Sequence, residues 1–127
     1  MAQILGIDTS NYTTSAALLD LETGEVHQEK QLLPVKAGEA GLRQSDAVFH
    51  HTRQLPELLE RLRPFLAENP VCGVSVSTRP RNVDGSYMPC FLTGVGTARA
   101  VAAVTGVLTS GGACAGGTVL CRQAGSL

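Results

Sequence analysis

The side chains best placed for chemistry in this 127-residue chain stand together near its start. There Ile4-Leu5-Gly6-Ile7 runs into Asp8-Thr9-Ser10-Asn11, followed by Tyr12-Thr13. A carboxylate at the end of an apolar strand, followed by hydroxyls and backbone N–H groups, suits a phosphate and its magnesium ion. In that role Asp8 meets the cation, directly or through water, and Thr9, Ser10, Asn11 and Thr13 present donors to phosphate oxygens. The same residue types also serve a plain hairpin, where Asp, Ser and Asn satisfy turn backbone. Both readings stand at this point.

Other candidates carry less chemistry. His50 and His51 are adjacent on a predicted helix, so their side chains diverge by about 100° and cannot share one metal ion. One is expected to face solvent and the other to pack, or to pair with Asp46 at helical spacing. Arg79 and Arg81 either clamp a phosphate or belong to a solvated loop. Cys72, Cys90, Cys114 and Cys121 contain no C-x-x-C pair, so reduced thiols in a cytoplasmic protein are expected, with no zinc or redox motif. The sequence holds no H-E-x-x-H, and no Ser-His-Asp arrangement can be placed in it.

Composition narrows the class. The formal net charge is −1 and the sequence pI about 6.3, which gives no basic face for nucleic acid. No apolar run approaches the ~20 residues that span a bilayer. The N-terminus has neither the basic start nor the long apolar stretch of a secretory signal, so a cytoplasmic setting without membrane contact is expected. One domain is expected at this length. Aromatic residues are only 4% while glycines number 14, so small residues must do much of the packing.

The elements that must position these residues follow from periodicity. Ile4–Ile7 and Ser15–Leu19 read as two strands around the polar turn, and Val26–Leu33 as a third strand after a turn at Gly24. Together they form an antiparallel meander. Residues 34 to 42, with Pro34, Gly38 and Gly41, read as a loop. Leu55, Leu58, Leu59, Leu62, Phe65 and Leu66 then recur at helical spacing, which predicts an amphipathic helix. Ser45 or Asp46 could cap an earlier start, Pro56 kinks the helix or opens a shorter one, and Asn69-Pro70 ends it. Val71–Ser77 alternates apolar and small residues, as a strand packed closely on both sides would. Residues 78 to 89 read as a polar loop, and Leu92–Gly106 as a helix of Ala and Gly able to sit close to a sheet. Beyond about residue 107 the chain loses its periodicity, which predicts a poorly ordered tail or one last strand near Thr118-Val119-Leu120. The order β-β-β-α-β-α fits an α/β fold with strand–helix units following the meander in one mixed sheet.

This order, with Ile4-Leu5-Gly6-Ile7-Asp8-Thr9-Ser10, resembles the first lobe of the actin-like ATPases of the ribonuclease H-like fold. It resembles most closely the tRNA threonylcarbamoyladenosine transferase family, also called O-sialoglycoprotein endopeptidase or glycoprotease. Ile4–Leu18, His50–Leu62 and Val74–Gly106 carry the likeness. The resemblance implies an N-terminal nucleotide-binding lobe over residues 1–106, an atypical Gly/Ala-rich tail over 107–127, and no second lobe. It implies ATP and magnesium as cofactors, with Asp8, Thr9, Ser10, Asn11 and Thr13 as cofactor-binding residues. It also implies a homodimer or a heterodimer with a related lobe, and contact with tRNA only through missing parts or partners.

Three departures bear on activity. Tyr12-Thr13 stand where the transferases carry an Asp-Glu pair, and a longer Arg79–Ser86 stretch replaces a short Gly-Pro loop. The family's metal-binding His-x-x-x-His pair has no counterpart, since no histidine follows His51, so that metal is not expected here. The sequence therefore leaves three functions open: a nucleotide-binding lobe not catalytically complete by itself, a catalytically silent dimerisation or assembly lobe, and a metalloendopeptidase.

Overall fold

A computed structural model describes residues 2–10, 12–34, 43–79 and 89–113. Its elements are β1 (Gln3–Asp8), β2 (Thr13–Asp20), β3 (Val26–Leu32), α1 (Gln44–Arg61), α2 (Arg63–Leu66), β4 (Val71–Arg79), α3 (Phe91–Thr105) and β5 (Leu108–Ala113). The strands form one five-stranded sheet in the order β3-β2-β1-β4-β5. β1, β2 and β3 pair antiparallel, whereas β4 runs parallel to β1 and β5 parallel to β4. This is the mixed α/β sheet that the sequence predicts.

Strand alternation divides the sheet into two unlike faces. Leu5, Ile7, Ala16, Leu18, Val74 and Val76 project on one side and form the main core with Leu55, Leu58 and Leu62 of α1 and Ala98 and Ala102 of α3. Burying a leucine of this kind contributes about 1.5–3 kcal/mol. The other side carries Gly6, Asp8, Ser15, Ala17, Ser75 and Ser77, and all the described helices pack on the first. At the far end of the meander, Gly24 turns β2 into β3 at φ +74°, a left-handed conformation that glycine adopts without a Cβ penalty.

α1 differs from its expected form. It begins at Gln44, with Arg43 at the N-cap position and no side-chain cap, so Ser45 and Asp46 lie inside the first turn. Pro56 sits within the helix rather than at its start, with its ring on the exposed side. The helix yields later, at Leu62, where φ −83° and ψ −4° separate it from the single turn of α2. The predicted leucine stripe holds: Leu55, Leu58 and Leu62 are buried, and Leu59, Phe65 and Leu66 pack around them.

α3 approaches the sheet through Gly94, Ala98 and Ala102 on its buried face, as its small residues predict. A Cβ at Gly94 would stand 2.8 Å from Thr9 Oγ1 and 3.3 Å from Val76 Cγ2. Glycine at this position is a matter of space. The expectation for the region after Gly106 needs correction. Leu108–Ala113 is a parallel edge strand whose small residues pair with Gly73–Arg79. Its small side chains carry no apolar period, which hid it in the sequence. The alternative strand at Thr118–Leu120 lies outside the described residues, as do Arg81 and the rest of the loop at 80–88.

Candidate functional site

Asp8 is the last residue of β1, on the face away from the helices. The parallel register aligns Ile7 with Val76, so one further step along both strands sets Asp8 beside Ser77. Ser77 Oγ donates to Asp8 Oδ1 at 2.7 Å, and the Ser10 backbone N–H donates to the same oxygen at 2.8 Å. Asp8 Oδ2 accepts no hydrogen bond among the described residues. Ser15 lies across from Asp8 on β2, and Thr13 follows on the same face two residues earlier. The ladder between β4 and β5 shifts register just past Ser77. Such irregularities bend a strand locally and often accompany functional sites.

The other predicted residues divide. Thr9 is fully buried on the opposite face, where its hydroxyl donates to the Cys90 carbonyl at 2.9 Å and accepts the Gly94 N–H at 3.1 Å. It therefore fastens β1 to the first turn of α3, and its hydroxyl is committed there. Ser10 is also buried, and its N–H is turned back onto Asp8. Thr13 is half-buried and shares the Asp8 face. Asn11 lies outside the described residues. Tyr12 is exposed.

Ser77 is the residue that sequence reasoning missed. Its signal was the alternation in Val71–Ser77, which puts Ser75 and Ser77 on one face. Only the pairing of β4 with β1 says that this face is Asp8's. Ser75, one pleat deeper and 3% exposed, keeps a buried hydroxyl with no hydrogen-bond partner among the described residues.

The histidines lie elsewhere. His51 is completely buried, and its partner is Thr14 of β2 rather than Asp46. Gln54 Nε2 donates to the Leu32 carbonyl at 3.1 Å, which turns its Oε1 toward Thr14. Thr14 Oγ1 spends its one proton on that Oε1 at 2.9 Å, so the 2.8 Å contact with His51 is donated from Nδ1–H. This relay ties α1 to the meander and belongs to the core. His50 lies at the surface, edge-on to Phe49. Among the described residues, no three His, Cys, Asp or Glu side chains group to hold a metal ion. No described helix is long and apolar enough to cross a membrane.

No family model matches the sequence, and no curated protein sequence matches it. Solved structures, however, share the fold. YeaZ from Pseudomonas aeruginosa matches with a TM-score of 0.61 at 16% identity, over 89% of this chain and 44% of that one. A P. aeruginosa protein described as similar to peptidase YeaZ matches with a TM-score of 0.60, with the same coverage. RuvC from T. thermophilus, in complex with a Holliday junction substrate, matches with a TM-score of 0.51 at 15% identity, over 90% of this chain and 66% of that one. The class that the topology defines is the ribonuclease H-like α/β fold. This chain has the fold of YeaZ across 44% of that protein's length.

Proposed function

We propose that this chain is a nucleotide-binding lobe of the glycoprotease and tRNA-threonylcarbamoyladenosine kind, with Asp8 as its cation-side carboxylate. The observation that carries this reading is the Asp8 carboxylate, with one oxygen fixed by two donors and the other accepting from no described residue. The fold shared with YeaZ supports it. Hard oxygen donors of this type fit magnesium, which commonly takes one or two carboxylates and completes its shell with water and phosphate. Asp8 would hold the ion, and the ion would neutralise phosphate charge. Asp8 then orients through Ser10 and Ser77, Thr13 offers a hydroxyl on the same face, and Thr9 keeps β1 seated on α3. With Tyr12-Thr13 where an acidic pair is expected, the lobe binds without supplying a second carboxylate from this turn.

Calorimetric titration of ATP with magnesium tests the reading on the full chain. Wild type should bind and Asp8→Ala should lose about tenfold or more in affinity, the loss of a charged contact. Equal binding by the two proteins removes Asp8 from the site.

An assembly lobe is the second reading, favoured by one surface of α1 and α3. Thr52 and Thr93 hydroxyls meet at 3.0 Å across the two helices. Near them Phe49 and Leu92 are 54% and 55% exposed. Light scattering at low micromolar concentration should then give a dimer mass. A Phe49→Glu variant should return it to monomer, and a strict wild-type monomer counts against this reading.

A further inference from the structure

We propose that Ser77 is the positioning residue for Asp8, and that its neutral hydroxyl restricts the site to one divalent cation taken up together with nucleotide phosphates. This inference rests on the nucleotide-binding reading above and adds what sets the site's metal preference. Ser77 is 3% exposed, and its Oγ–H donates to Asp8 Oδ1 at 2.7 Å. The Ser10 N–H donates to that same oxygen from the turn side at 2.8 Å. Two donors converging on one oxygen stop rotation of the carboxylate and leave Oδ2 as the atom available to a cation.

The type of side chain at 77 matters as much as its contact. A carboxylate here would lie within hydrogen-bond distance of Asp8, and two such groups stay ionised together only with a cation between them. That pair would be a metal site without any nucleotide. A hydroxyl adds no charge. One carboxylate alone leaves most of a magnesium shell to water and phosphate oxygens, so the metal and the nucleotide must arrive as a unit.

The test is the gain in ATP affinity that magnesium confers, measured calorimetrically with magnesium and then with EDTA. Wild type should show a gain of about tenfold or more, and Ser77→Ala should cut that gain by about three- to tenfold, the net worth of one ordinary intramolecular hydrogen bond. Ser77→Thr, which keeps the hydroxyl, should keep the gain. Full gain in Ser77→Ala overturns the proposal and leaves the nucleotide reading standing. ATP binding by wild type without any magnesium gain overturns it too, together with the place of Asp8 as the cation-side carboxylate, and leaves nucleotide binding alone standing. No ATP binding by wild type in either condition defeats both. A nucleotide-free arm uses manganese alone: Ser77→Asp should melt at a higher temperature when manganese is added, while wild type does not shift. No rise in Ser77→Asp, or failure to fold with manganese present, overturns the placement of residue 77 against Asp8.

Discussion

At the scale of single residues, the site is a matter of which polar atoms are satisfied. Asp8 Oδ1 has two donors, whereas the buried Ser75 hydroxyl two residues before Ser77 has no partner among the described residues. An unsatisfied buried group costs its lost hydration, so Ser75→Ala should leave stability unchanged or raise it by up to about 1 kcal/mol, read as a urea midpoint. A loss beyond about 1 kcal/mol would mean that the hydroxyl has a partner after all. Asp20 offers a pH test. The backbone N–H groups of Thr23 and Glu22 hold its carboxyl below the ordinary aspartate value of 3.8. A lowered folded-state value stabilises the fold above that range and is lost as pH falls through it. The stability advantage of wild type over Asp20→Asn should therefore be present at neutral pH and shrink below about pH 4. An advantage constant across that range contradicts the assignment. Asp8 itself was legible in the sequence because an apolar run ending in a carboxylate is a local pattern. Ser77 was not, because its neighbour is 69 residues away and only strand pairing reveals it.

At the scale of elements, two helices are held to the sheet by different means. α3 seats on Gly94, so Gly94→Ala should destabilise by about 1–3 kcal/mol, since the new methyl must displace Thr9 Oγ1 at 2.8 Å. An unchanged denaturation midpoint would show that α3 sits farther out. α1 is fastened by the Thr14, His51 and Gln54 relay. Thr14→Val keeps the shape of the side chain but leaves His51 Nδ1–H and Gln54 Oε1 unmatched, at a cost of about 1–3 kcal/mol. Retained stability would exclude that relay. The leucine stripe and the small face of α3 were legible because 3.6-residue spacing is written in the sequence. The start of α1 was hidden because Arg43 caps it with backbone alone, and β5 because glycine and serine show no apolar alternation.

At the scale of the whole molecule, the sheet order brings the ends of β1 and β4 together, and so builds the Asp8 pair from two distant segments. The chain matches 44% of YeaZ, and its described residues form a five-stranded sheet. On the proposed reading, this end of the sheet is where a nucleotide's cation sits. The most direct test of that reading is paramagnetic broadening of amide resonances by substoichiometric manganese with ATP. Broadening should be greatest at Asp8, Ser10, Thr13 and Ser77, and should vanish in Asp8→Ala. Broadening centred elsewhere, or persisting undiminished in Asp8→Ala, would contradict the account.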